Sequence, residues 1–283
     1  MRLRQVGCLD SQGARVMADR ESLRRTFDQQ AELYKKARPD YPEALFDELF
    51  ARAELRPGAR VLEIGCGTGQ ATRPLARRGC HVVCVELGEH LAAVARRELN
   101  KFRDVEVITG AFEAFEPRGA QFDLVLAATA WGWVDPAVRY QKAASILRRG
   151  GSLAIIHGGH HVFPPGFDPF FKQIQKYYDS IGERAETWPA PDEVPDLRSE
   201  IEESGLFGEV SVKRYVWTVD YTAEKYIEVI NTYSGHIAMT SEQREVIFAG
   251  VWELMAARPD RPIRKHYLSI LHVATRQQAL NHA

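Results

Sequence analysis

One stretch constrains this chain more than any other: Val61-Leu62-Glu63-Ile64-Gly65-Cys66-Gly67-Thr68-Gly69-Gln70-Ala71-Thr72. Apolar, β-favouring residues enclosing one acid run into three glycines at alternate positions, and these into a segment of helical character. The pattern predicts a strand, a tight turn and a helix start. Glycine at 65, 67 and 69 lets the backbone take positive φ and lets a ligand approach the main chain where no Cβ intervenes. Thr68 is placed to open the next helix, expected over 70–78 and stopped by Gly79.

Turns of this kind hold several ligands. The dinucleotide fingerprint G-x-G-x-x-G has its third glycine one residue later than the G-x-G-x-G here, and no Gly-Lys-Ser/Thr follows as a Walker loop requires. Glu63, two residues before the first glycine, would face an incoming ammonium. A ligand combining a cationic amino group with a nucleoside fits better than a pyrophosphate.

These residues resemble the first motif of class I S-adenosylmethionine-dependent methyltransferases, and the likeness extends over about residues 58–158. It implies an α/β fold with a Rossmann-like, seven-stranded, mostly parallel sheet, its last strand antiparallel, carrying helical lid insertions. It also implies S-adenosyl-L-methionine as cofactor, with Gly65, Cys66, Gly67, Thr68, Gly69 and Gln70 against its methionine part. Glu86, ending the strand His81-Val-Val-Cys-Val-Glu86, would hold the ribose hydroxyls, with Leu87 beside it. An NAD-type domain and an inactive nucleotide fold are the alternatives.

The charge balance, 37 basic against 38 acidic residues, supplies no general attraction to nucleic acid or an anionic membrane. No apolar run is long enough to span a bilayer, and the N-terminus lacks the apolar core of a signal peptide, so a cytoplasmic location is expected. Cys8, Cys66, Cys80 and Cys84 show no zinc-ligand spacing, and no metal is expected.

Residues 1–18 lack periodicity and read as a flexible tail, or as lying upstream of a start at Met17. Leu23, Phe27, Ala31 and Tyr34 recur at helical spacing, so lid helices are expected over 19–56. The stretch Tyr34-Lys-Lys-Ala-Arg38-Pro39-Asp40-Tyr41-Pro42 resembles the segment preceding the first motif in bacterial small-molecule methyltransferases related to the trans-aconitate type. There it folds over the cofactor, which would bring Tyr34 and Arg38 to the site; a packing helix with a proline-fixed turn is the alternative.

Helix 88–100 and strand 105–109 follow, then Gly110-Ala111-Phe112-Glu113. The family usually carries an acid or amide where Ala111 stands, so adenine contact here would come from the main chain or from elsewhere, with Phe112 on the base or in the core. Strand 122–128 leads into Thr129-Ala130-Trp131-Gly132-Trp133-Val134-Asp135-Pro136. Ligands of open parallel sheets sit beyond the strands' carboxyl ends, which points Ala128 and Thr129 to the cofactor and Trp131 and Trp133 to the acceptor, with core packing as the alternative for both tryptophans. Gly132 stands where the resembled group often has His.

Helix 138–147 is expected to stop at Gly150-Gly151, strand 152–157 to follow, and His160 and His161 to lie in the loop beyond it. Helices over 169–181 and 197–204 flank a proline-rich linker, and strand 210–217 precedes two helices around Tyr233-Ser234-Gly235-His236. The last strand is placed over 264–276. A domain over 57–283 thus carries lid segments at 160–195 and 221–262. Tyr233 and Ser234 become candidates for acceptor contact. His236, His160 and His161 become candidate bases, with a helix-end role as the alternative for His236.

Together these features suggest methyl transfer to a small organic acceptor at oxygen, carboxylate or hydroxyl. The competing readings are a peptide, protein or RNA methyltransferase, which for RNA the neutral charge disfavours, and a non-catalytic cofactor-binding module.

Overall fold

The computed structural model describes residue 28 and residues 30–117, 119–183 and 188–277, the side chain of His160 excepted. The readings made for residues 1–18, Leu23 and Phe27 fall outside the described residues.

Seven strands form one sheet: β1 (Arg60–Ile64), β2 (His81–Glu86), β3 (Val105–Thr109), β4 (Phe122–Ala128), β5 (Leu147–His161), β6 (Ser211–Tyr221) and β7 (Ile263–Thr275), in the order β3-β2-β1-β4-β5-β7-β6. Parallel pairing runs from β3 to β5, with Leu62 beside Val83 on one side and Val125 on the other. The last strand is antiparallel, as expected. Arg276 donates its N–H to Gly151 at 2.8 Å and Val162 donates to His266 at 3.3 Å, so the partners run in opposite directions.

The chain divides into two compact units. The sheet unit comprises Asp40–Gly159, Pro195–Tyr215 and, of the described residues, 269–277. Every residue of β1 after Arg60 is buried, as befits a parallel strand covered on both faces. Alternation sorts β1 and β4 between two apolar layers. Leu62, Ile64, Val125 and Ala127 meet Ile146 of α5 (Arg139–Ile146) and Ile201 of α7 (Arg198–Glu203). Val61, Leu124 and Leu126 meet α2 (Glu43–Arg52), α3 (Thr72–Arg77) and α4 (Glu89–Leu99).

Several sequence expectations change here. Helix α2, assigned above to the lid, lies in the sheet unit, with Leu45, Phe46 and Leu49 fully buried in the core it shares with Val61 and Leu75. Helix α3 starts at Thr72 with Ala71 as its N-cap; Thr68 does not cap it, because Thr68 is fully buried and donates its hydroxyl to Gln70 at 3.1 Å. Gly150 does not stop a helix. Leu147 is already extended, Gly150 takes φ +71°, and pairing jumps from Phe122 with Leu147 to Leu124 with Ser152, a bulge at the start of β5.

The helical unit comprises, of the described residues, 28, 30–39, 160–183, 188–194 and 216–268. It contains α1 (Ala31–Ala37), α6 (Phe170–Ser180), α8 (Ala223–Ile230), the short α9 (Ser234–Ile237) and α10 (Ser241–Ala256). Three helices therefore stand where two were expected after β6, and a capping box between Thr240 and Gln243 starts the third. Phe170, Ile174, Tyr226, Val229, Ile247 and Val251 form its core. Strand β5 continues through His161, so the two histidines are strand residues and not loop residues.

Candidate functional site

Strand order reverses between β1 and β4, and at such a switch point the loops leaving adjacent strands part to leave a crevice beyond the carboxyl ends. The glycine turn leaves β1 there. Gly65, Gly67 and Gly69 take φ of +65°, +56° and +90°, the left-handed region that disfavours any side chain. Gly65 is doubly constrained. A Cβ on it would stand 2.7 Å from the Cβ of Ala130, which follows β4.

Glu86, at the end of β2, holds this turn from the side. One carboxylate oxygen accepts the Gly67 N–H at 2.8 Å and the other accepts the Gly88 N–H at 2.9 Å. Both carboxylate oxygens are thus held by main-chain N–H groups that flank the crevice. Leu87, 41% exposed, presents an apolar surface next to it. A main-chain cradle, an anchored carboxylate and an apolar neighbour match the three parts of an amino-acid nucleoside.

Glu63 is 1% exposed and accepts the Thr72 hydroxyl at 2.7 Å. Burial raises its carboxyl to about 7, opposed chiefly by the Thr72 bond, so the free protein holds it near half-protonated at neutral pH. It is therefore fixed beneath the turn and bonded to α3, not displayed at a surface. Gln70 is tied to Thr68, and Arg73 joins Asp40 at 2.5 Å. The Cys66 thiol, buried, hydrogen-bonded with Cys84 and pushed well up, is no nucleophile.

Beyond β3, Ala111 is half-buried, while Phe112 packs in the core. Glu113 accepts the Asp135 N–H at 2.9 Å, a bond that fixes the aromatic turn after β4. Within that turn Trp131 is 3% exposed and packs edge-on to Tyr140 at 5.0 Å, so it is a core residue; Trp133 is the half-buried one. Ala128 is half-buried. Thr129 is exposed at φ +58° and shares a 2.7 Å hydroxyl contact with Tyr41.

The helical unit gathers Arg38, Tyr233, Ser234 and His236, joined by a residue that motif reading overlooked. Lys265 is 3% exposed and donates to the Tyr233 hydroxyl at 2.9 Å. Ile263, Lys265 and Tyr267 are the inward residues of β7, so strict alternation places this lysine inside, and that was the available signal. Its ammonium lies over the rings of Tyr233 (4.6 Å), Tyr267 (5.1 Å) and Tyr226 (5.9 Å). Such contacts contribute roughly 2 kcal/mol when desolvated, less than the several kcal/mol that burying an ammonium costs. Burial accordingly pulls Lys265 below its ordinary range, and the nearby cations pull the Tyr233 phenol down against its own burial.

Arg38 lies 4.4 Å over the Tyr233 ring and 5.1 Å over Tyr34, and binds the hydroxyl and carbonyl of Thr232, each at 2.8 Å. His236 is hydrogen-bonded through Nε2 to the Tyr178 hydroxyl at 2.8 Å, and burial lowers it to about 4. His161 packs against Phe163 and Phe171 and is held well below the ordinary histidine range, mainly by burial. The His160 side chain lies outside the described ones. Among the described residues, no helix is long and apolar enough to cross a membrane, and no group of three or more His, Cys, Asp or Glu gathers to hold a metal.

Residues 61–151 match the methyltransferase domain family model. An uncharacterized methyltransferase of Mycobacterium tuberculosis is 27% identical over 244 residues, 86% of this chain and 91% of the relative. A malonyl-[acyl-carrier protein] O-methyltransferase of Enterobacter lignolyticus is 27% identical over 233 residues, 82% of this chain and 80% of the relative. In fold, the chain is similar to a putative type II methyltransferase from Anaeromyxobacter dehalogenans, with TM-score 0.61, 24% identity, and coverage of 84% of this chain and 97% of that one.

Fold and turn together define a Rossmann-like protein that binds a nucleoside cofactor at the carboxyl edge of its sheet. With the methyltransferase domain over 61–151 and relatives named as methyltransferases, the chain is an S-adenosylmethionine-dependent methyltransferase.

Proposed function

We propose that the protein methylates a carboxylate oxygen of a small organic acid. One observation carries this reading: His236, the histidine expected to act as base, is engaged by Tyr178 and lowered to about 4. A base of that strength is poorly matched to deprotonating a hydroxyl near neutral pH. Transfer to a carboxylate moves no proton and needs no base. The bound cofactor supplies a methyl group on a sulfonium; the chain's part is to align the acceptor and keep water out. Glu86 and the glycine turn serve the cofactor, and Trp133, the half-buried tryptophan of the turn after β4, is assigned to the acceptor. The Enterobacter relative, named as an O-methyltransferase, supports oxygen as the acceptor atom.

The test is incubation with methyl-labelled cofactor and matched sets of small acids, alcohols and amines, with products identified by mass. Base-labile methyl esters are expected. Label appearing only in amines, or in added peptide or RNA, would overturn the proposal.

A further inference from the structure

We infer that the helical unit contains a receptor for a small carboxylate, held by the guanidinium of Arg38 and the ammonium of Lys265, both of which contact the Tyr233 ring. The inference rests on the reading of the acceptor as a small acid and names the groups that would recognise it.

The sign of the interior field is the first support. The charges that act on His236 are those of Lys265 and Arg244, and on His161 those of Lys265 and His266. Those acting on Tyr233 are Lys265 and Arg38. Lys265, Arg38 and Arg244 are cationic; His266, lowered from the ordinary histidine value by burial, is not counted among them. Among the described residues, no carboxylate forms an ion pair with Lys265 or Arg38; their hydrogen-bond partners are Tyr233 and Thr232, both uncharged in their ordinary state. Buried cations ordinarily have a paired anion, because an uncompensated charge away from water is costly. Aromatic faces around Lys265 offset that cost only in part.

Geometry supplies the second support. Thr232 occupies Nε and Nη2 of Arg38, which fixes the guanidinium plane, and Nη1 has no partner among the described residues. Arg38 is half-buried while Lys265 is nearly inaccessible, so an incoming anion meets the arginine first. A carboxylate accepting from Arg38 would also raise the proton affinity of Lys265 by its charge. That favours the ammonium and leaves Tyr233 a neutral donor.

Calorimetry of the full chain with succinate, malonate, acetate and inorganic phosphate, in the presence of S-adenosylhomocysteine, tests this. At least one carboxylate should bind, and Arg38→Gln and Lys265→Met should each weaken it by about tenfold or more, the loss of one charge-assisted bond. The dimethyl ester of the same acid should not bind. S-adenosylhomocysteine affinity reports separately on the fold and on the methyltransferase assignment. A parent protein that binds S-adenosylhomocysteine but no carboxylate overturns the receptor alone. Binding of phosphate in preference to every carboxylate overturns the ligand class, and loss of S-adenosylhomocysteine instead of carboxylate in Arg38→Gln returns that residue to the cofactor. Should Lys265→Met fail to fold, the half-buried Arg38→Gln still decides.

Discussion

The hydroxyls of Tyr41 and Thr129 lie 2.7 Å apart, and Thr129 makes this contact from a φ of +58°. A β-branched residue in the left-handed region is strained by on the order of 1 to 3 kcal/mol. The strain persists because the Thr129 N–H is tied to the Ile156 carbonyl at 2.8 Å while its hydroxyl is tied to Tyr41. Thr129 directly follows β4 at the switch point, so the strain lies beside the proposed cofactor crevice.

Thr129→Gly should therefore cost little stability, since relief of strain offsets the lost hydroxyl contact of about 1 kcal/mol. Thr129→Val keeps the strain, loses the contact and should be less stable than the glycine variant by about 1 kcal/mol or more. Urea unfolding of both gives the comparison. A valine variant as stable as the parent would mean that the contact contributes nothing.

Gly65→Ala should abolish cofactor binding, because its Cβ would stand 2.7 Å from that of Ala130 at a φ that already disfavours it. Glu86→Ala removes the acceptor of two turn N–H groups as well as the proposed ribose partner. Its affinity for S-adenosylhomocysteine should fall by about tenfold or more, while Glu86→Gln, which keeps its carbonyl acceptor, should fall less. Equal affinities in calorimetry would remove Glu86 from the site.

Much of the sheet was legible because its signals are local. An apolar run with period two or continuous burial, a glycine turn and an acid at a strand end can be read from neighbouring residues. Strands β3 and β4 were bounded correctly on those grounds. The start of β5 was misread because Gly150-Gly151 after a helical run looks like a helix stop; only the pairing with β4 turns Gly150 into a bulge. Trp131 and Trp133 are indistinguishable in sequence, and packing against Tyr140 decides which is buried. The Lys265 cluster joins residues far apart in the chain, beyond the reach of any short motif.

His236 offers a test of the base-free reading. His236→Ala leaves the buried Tyr178 hydroxyl without its partner and should cost about 1 to 3 kcal/mol of stability. Turnover on the identified acid should change little, and the parent's rate should show no histidine inflection between pH 6 and about 7, the ordinary histidine range. A folded variant slowed by about 10²-fold or more, with unchanged cofactor affinity, would make His236 the general base after all.

Glu63 makes cofactor binding sensitive to protons. Its carboxyl, raised to about 7 by burial, is pulled back down by any ammonium brought near it. Binding should then release part of a proton near pH 7, and affinity should rise with pH through that value. Calorimetry in two buffers of different ionisation enthalpy measures the release. Identical heats would leave Glu63 as the anchor of Thr72 alone.

His272 sets an acid limit on the sheet unit. It is fully buried, and its Nε2 accepts the Leu197 N–H at 2.9 Å, so Nδ1 carries the proton towards the Ile155 carbonyl at 3.2 Å. Burial lowers the imidazole from 6.5 to about 4, with the Ile155 bond opposing. The folded state thus binds fewer protons than the unfolded chain between those values. Its contribution is complete above 6.5 and is lost as pH falls towards 4, a difference of about 3 kcal/mol at most. In His272→Gln the dependence of unfolding free energy on pH across this window should be shallower than in the parent by up to about one proton. Urea titrations at a series of pH values measure that slope, and parallel slopes in the two proteins would show that His272 keeps an ordinary proton affinity in the fold.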